Sequence, residues 1–233
     1  MKEAILAALL TARAAGKSAA LLTRVPSGEQ RLICHGDEIG DLAIDDETRA
    51  AAGTLLSRDQ SQMIDTGGGR VFVHVFNPPP RLMIVGAVHI AEPLVRMAIS
   101  AGYAVVLIDP RRAFATREQF RGFALIDDWP DEALERLRPD ERSAVVTLTH
   151  DPKLDDAALL VALRSKAFYI GCLGSRKTHG ARMKRLSAAG VGEADLARIH
   201  GPVGLAIGAR TPAEIAIAIL AEVTQVRRGL EMA

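Results

Sequence analysis

Three short stretches combine residue types that could do chemistry. In "MIVGAVHIAEPL", Met83 to Leu94, an apolar run enters a glycine turn and then a helical pattern. Such a turn offers backbone N–H groups to a phosphate. Its first glycine allows the tight bend, a second lets the backbone approach a pyrophosphate, and a small third residue lets helix and strand pack closely. Gly86 fills the first place and Ala91 the third, but Val88 stands in the second, so a phosphate would meet two extra methyls. Asp109, ending the strand-like "VVLIDPR", sits where an acidic residue would accept a ribose hydroxyl. Gly86, Ala87, Val88 and His89 are therefore candidate ligand contacts; His89 either donates to a bound oxygen or is satisfied by backbone.

The second stretch is "GCLGSRKT". Gly171 and Gly174 relax the backbone after an apolar strand, and Ser175, Arg176, Lys177 and Thr178 open the next helix. Amides at a helix start beside two cations suit an oxyanion, although two solvated surface cations would read the same way. Cys172 lies close by; a thiolate there could hold a persulfide or a soft metal, whereas a strand-borne cysteine is also a common small core residue. The third stretch, "LTHDPKLDD", places His150 and Asp151 after another strand, as cofactor contacts or a proton relay, or as a turn in which Asp151 caps the following helix. Histidines 35, 74, 179 and 200 show no metal-ligand spacing, so no structural zinc is expected. No Gly-x-Ser-x-Gly elbow or recognisable hydrolase carboxylate pair occurs, and no catalytic residue is assigned.

The elements that must position these groups follow from periodicity. "RLMIVGA", "YAVVLID", "FALID", "SAVVTLT" and "AFYIGCL" are apolar runs long enough for strands buried on both faces. Helical patterns alternate with them, including a short one at "REQFRG", and "RTPAEIAIAILAEV" carries a capping box at Thr211 and Glu214. The expectation is an α/β, Rossmann-like, doubly wound parallel sheet of five strands over residues 81–233. The prolines of "FNPPPR" form a stiff connector. Before it, residues 1–77 read as a small α+β domain with a partly antiparallel sheet, its strands at "AALLTRV", "QRLICHG" and "RVFVHVF".

Bulk properties bound the function. The chain has 233 residues, a net charge of +1, and two cysteines. That charge offers no field for nucleic acid, the aromatic residues are too scattered for base stacking, and the thiols suit a reducing cytoplasm. The alanine-rich start is interrupted well short of the ~18 apolar residues a membrane span needs.

From Arg81 to Glu222 the chain resembles the XdhC/CoxI family of xanthine dehydrogenase accessory factors. The residues that carry this are "IVGAVHIAEPL", "VVLIDPR", "LTHDPKLDD", "FYIGCLGSRKTHGARMKRL", "IHGPVGL" and "IGARTPAEIAIAILAE". The resemblance implies a cytoplasmic, non-catalytic chaperone that binds molybdenum cofactor (molybdopterin or its dinucleotide form) as cargo. It implies cooperation with a cysteine desulfurase, delivery to an apo molybdenum hydroxylase of the xanthine or carbon monoxide dehydrogenase type, and a homodimer. Val88, Ala206 and the absence of a cysteine in "TGGGRVF" depart from the pattern common in that family. Two other readings stand beside it: an NAD-dependent oxidoreductase, and a docking scaffold that has lost small-molecule binding.

Overall fold

The computed structural model describes residues 1–25, 27–34, 36–111, 120 and 122–229. Most of the short helix expected at "REQFRG", and His35, lie outside them. The chain divides into two compact units, Met1–Pro78 and Pro79–Ala233.

In the first unit, helix α1 (Glu3–Ala14) precedes strands β1 (Ala19–Arg24), β2 (Gln30–Cys34) and β3 (Asp37–Gly40). Helix α2 (Asp46–Ser57) then leads to β4 (Gln62–Thr66) and β5 (Gly69–Phe76). The strand order is β3-β2-β1-β5-β4, and every pairing is antiparallel, not partly so. Two of these strands occupy stretches expected to be turn or linker: "GDEIGD" supplies β3, and "QMIDT" turns back through "GG" into β5. Both lie at the sheet edges, where short, half-polar strands carry little apolar signal. The two faces are covered separately: Ala20, Leu22, Val71 and Val73 meet Ala52 and Leu55 of α2. On the opposite face Ala19, Leu21 and Leu32 meet Ile5, Leu9 and Ala12 of α1.

The second unit is built on β6 (Arg81–Val85), β7 (Ala104–Ile108), β8 (Leu125–Ile126), β9 (Ser143–Thr147), β10 (Tyr169–Cys172) and β11 (Ile199–His200). All pairings are parallel, in the order β11-β10-β9-β6-β7-β8, the doubly wound arrangement of a Rossmann sheet. The sixth strand, β11, is an addition to the five expected; two residues are too few to give a periodic signal.

Alternation along the strands sorts the core into two layers. Leu82, Ile84, Leu107, Ala144 and Val146 face Leu94, Val95 and Ala98 of α3 (Ala91–Ser100) and Ala216, Ile219 and Val223 of the last helix. Met83, Val85, Ile108, Val145 and Ile170 face Ala133 and Leu134 of α4 (Pro130–Leu137), Ala158, Leu159 and Ala162 of α5 (Pro152–Arg164), and Leu186 of α6 (Arg176–Ala188). Each Val, Leu, Ile or Met side chain so buried contributes roughly 1.5–3 kcal/mol, and each alanine methyl less. A short α7 (Glu193–Leu196) precedes β11, and α8 (Pro212–Arg227) begins with the expected capping box, Thr211 and Glu214 each bonding the other's amide.

Candidate functional site

The order of winding reverses between β6 and β9, so the crevice for a ligand lies at the carboxyl ends of those strands. Gly86 sits there with φ +112°, and its amide donates to Ile108 O at 2.8 Å. A Cβ on Gly86 would lie 2.7 Å from Thr149 Cγ2 and 3.3 Å from Thr149 N. The glycine therefore lets the loops after β6 and β9 touch. Val88, expected to stand in a phosphate's way, is half-buried against the α3–α8 core layer, and His89 is exposed.

Asp109 does not play the part expected of it. It is fully buried, and both carboxylate oxygens are engaged within the protein. Oδ2 accepts from Ala87 N at 2.7 Å and Arg111 Nη2 at 2.8 Å; Oδ1 accepts from Arg111 N and Nε, each at 2.9 Å. Burial alone would raise this carboxyl's pKa, but the Arg111 guanidinium and the Ala87 and Arg111 amides outweigh it and hold the group below its ordinary range. The same pairing pushes Arg111 up. A ribose hydroxyl would find no free acceptor here, and the Ala87 amide offered to a phosphate is already taken.

The loop after β9 is tied to this turn and to the next. Thr149 Oγ1 donates to Asp155 Oδ1 at 2.6 Å, and the Thr149 amide reaches the same oxygen at 3.3 Å. His150 is exposed and held at φ +60°, a region a non-glycine residue rarely adopts. Asp151 caps α5, accepting from Lys153 N at 3.0 Å with Pro152 in the first helical position. Of the two readings open for Asp151, this is the capping one. Both Asp151 and Asp155 lie close enough to Arg111 to favour its charged form.

Beyond β10, Gly174 turns at φ +147° and Ser175 caps α6 through Thr178 N at 3.1 Å. Arg176 and Lys177 are exposed in the first turn. One helical turn further in lies a residue that sequence reasoning passed over. Arg182 is only 2% exposed; its Nη2 donates to Leu173 O at 3.0 Å and approaches Asp155 Oδ2 at 3.4 Å, while Nε and Nη1 have no partner among the described residues. Burial pushes the Asp155 carboxyl up, more than Thr149 and Arg182 lower it. The pattern that could have revealed Arg182 is its spacing: Ser175, His179, Arg182 and Leu186 fall on one helical face, and Leu186 is core.

Cys172 needs a correction. It is fully buried within the α4–α6 core layer and accepts a hydrogen bond from Thr147 Oγ1 at 3.3 Å. Burial pushes its thiol up to about 12, so it remains a neutral core residue rather than a thiolate for persulfide or metal. Among the described residues no three His, Cys, Asp or Glu side chains gather as metal ligands. Cys34 lines a cavity of about 250 Å³ in the first unit with Ala12, Lys17, Leu32, Asp37 and Ile39.

A second polar cluster escaped sequence reasoning because its members lie far apart in the chain. Glu222 of α8 accepts from the buried Tyr169 hydroxyl, from Gly204 N at 2.7 Å, and meets His200 Nδ1 at 3.3 Å, while the Tyr169 and His200 rings stack at 4.5 Å. Burial would raise the Glu222 carboxyl, yet His200, Tyr169 and Gly204 hold it low.

The expected site residues thus fall on one rim. The Asp109 carboxylate joins Ala87 to Arg111, Thr149 joins Asp151 to Asp155, and Asp155 reaches Arg182 beside Gly174. Comparison with known proteins shows what the chain is similar to. Residues 82–223 match the model described as the XdhC Rossmann domain. The chain is 33% identical over 159 residues to a Bacillus subtilis (strain 168) protein named as a probable xanthine dehydrogenase subunit, covering 68% of this chain and 46% of that one. It is 31% identical over 152 residues to the molybdenum cofactor insertion chaperone PaoD of Escherichia coli (strain K12), covering 65% and 42%. A crystal structure described as a xanthine dehydrogenase from Bacillus halodurans superposes with a TM-score of 0.71 and 25% identity, over 93% of this chain and 64% of that one. The chain spans less than half the length of these curated relatives. It belongs to the XdhC Rossmann-domain family.

Proposed function

We propose that this chain is a maturation factor that holds molybdenum cofactor along the carboxyl rim of the β6–β11 sheet and passes it to an apo molybdenum hydroxylase. One observation carries the reading. Three strands adjacent in the sheet, β9, β6 and β10, lead into loops whose residues His150, Gly86 and Gly174 all have positive φ. The two glycines let the backbone turn and approach a ligand closely, and His150 adopts such a conformation despite carrying a side chain, the kind of strain that clusters where ligands are gripped. The name of PaoD, an insertion chaperone, supports the same reading.

In this role the chain's own groups bind and orient; the chemistry of the metal centre belongs to the cargo. Exposed Arg176 and Lys177 flank the anionic end, and exposed His89 and His150 offer hydrogen bonds to pterin oxygens and nitrogens. Cys172, being buried and neutral, takes no part, so sulfur exchange falls to a partner cysteine desulfurase. The chain works in the cytoplasm as a homodimer under this reading. Among the described residues no helix is long and apolar enough to cross a membrane.

The NAD-dependent alternative fares worse, because both Asp109 oxygens and the Ala87 amide are engaged internally. The test is retention: purified protein mixed with molybdenum cofactor carries pterin fluorescence through gel filtration, and NADH does not co-elute. Elution of the pterin entirely in the small-molecule fraction overturns the proposal.

A further inference from the structure

We infer that the β10–α6 turn, with Arg182 beneath it, is a built site for a phosphate monoester, and that the cargo's phosphate end docks there rather than at the β6–α3 turn. This rests on the function proposed above only for the ligand's identity; the anion site itself stands on geometry.

The two turns differ in what they leave open. At the β6–α3 turn the Gly86 and Ala87 amides donate to Ile108 O and Asp109 Oδ2, and Glu92 occupies the first turn of α3, where its charge opposes an incoming anion. At the β10–α6 turn the first helical turn holds no acidic residue and two cations, Arg176 and Lys177. Their amides open a thirteen-residue helix, where N–H groups have no intrahelical acceptor.

The buried arginine is the independent observation. A guanidinium carries five donors in a rigid fork and loses hydration when enclosed, so leaving donors unpaired is unfavourable. Arg182 is 2% exposed, and its Nε and Nη1 find no acceptor among the described residues. Asp155 engages only Nη2, at a loose 3.4 Å. A Cβ built on Gly174 would lie 3.2 Å from Thr178 Cβ and 3.8 Å from Arg182 Nη1, so the turn sits directly against the buried nitrogen. With no side chain at Gly174, the turn's bare backbone packs between the exposed helix start and the buried Nη1. A tetrahedral oxyanion at the helix start meets the amides and side chains of Arg176 and Lys177, and a small shift of the Gly174 turn brings it to Arg182 Nη1.

The experiment uses the whole chain and inorganic phosphate, with chloride of matched ionic strength as the control. In the unsubstituted protein, the Arg182 Nε–H cross-peak shifts as phosphate is added and the melting temperature rises relative to chloride. Arg182→Lys keeps the charge beside Asp155 but lacks the fork, and weakens phosphate binding by about tenfold or more. A stationary Nε–H peak overturns the inference without any variant having to fold, and equal affinity in Arg182→Lys overturns it too. Cofactor retention separates this inference from the function it draws on. Phosphate binding at Arg182 with no pterin retained upholds the anion site and removes the proposed function. Retention that is unaffected by Arg182→Lys and by excess phosphate leaves the function standing and removes the phosphate anchor.

Discussion

Two aspartate–arginine pairs lie on the same rim, and they are opposites. Asp109 receives four hydrogen bonds, three of them from Arg111, and its carboxyl is held low. Asp155 receives a threonine hydroxyl and amide and one distant guanidinium nitrogen, and its carboxyl is pushed up. The first pair is complete and locks a turn closed. The second is incomplete on the arginine side, which is the condition of a group that awaits another partner. Burial by itself says little about function; unmet donors beside an open turn say more.

Removing members of each pair should separate them most widely. Arg182→Ala strands Asp155 in the core and lowers unfolding free energy by roughly 3–5 kcal/mol in urea titration. Asp109→Ala costs less, roughly 2 kcal/mol, because the Arg111 side chain is 30% exposed and turns to water. Equal losses would mean that Arg182 is better satisfied than its geometry indicates.

The glycines of the two turns provide the next contrast. Gly86→Ala sets a methyl against Thr149 at a positive φ and should cost roughly 2–4 kcal/mol, partly recovered by Thr149→Ser, which deletes the clashing Cγ2. Gly174→Ala meets only tighter than usual contact with Thr178 and should cost about 1–2 kcal/mol, yet it sets a methyl between the helix start and Arg182 and weakens phosphate-dependent stabilisation. Thermal melts in chloride and in phosphate distinguish the two effects.

The pairs should also titrate in opposite senses. Asp109 has a folded pKa below its unfolded value of 3.8, so its stabilisation is present above that value and is lost as pH falls through the folded pKa. Asp155 has a folded pKa above 3.8, so the folded state binds the extra proton, and stability falls as pH rises from 3.8 through the folded pKa. Melting temperature against pH for Asp109→Asn and Asp155→Asn should deviate from the parent with opposite slopes. Matching slopes would show that the contrast between the pairs is false. The smallest effect is at the helix starts: Ser175→Ala removes the α6 cap for about 1 kcal/mol, while α3, begun by Ile90 without a side-chain cap, has none to lose.

Much of this architecture could be read from residue order because burying a strand on both faces demands continuous Val, Ile and Leu, as in "RLMIV" and "SAVVT". The cap signals of α5 and α8 are equally local: Asp151-Pro152 and Thr211-Pro212 with Glu214. What escaped is non-local. "IH" is a strand only because Ile170 and Gly171 lie alongside it. Arg182 sits in "ARMKRL", a basic stretch whose composition suggests solvent, and its burial depends on Asp155 and Leu173. The spacing that put Asp109 at the end of its strand located the residue rightly but could not show which way the carboxylate points; Arg111, two residues on, decides that.

One of the two central strands of the second sheet, β6, is also its first in the chain, with Ile84 opposite Leu107 on one edge and Val146 on the other. During synthesis at about 5–20 residues per second, the edge that will receive β9 stays bare for several seconds after β7 has docked. That interval exposes a row of unpaired amides and carbonyls on an almost wholly aliphatic strand, a template for pairing with another nascent chain. Expression rate and temperature during translation, more than the stability of the finished fold, should therefore govern how much of this protein is recovered in native form.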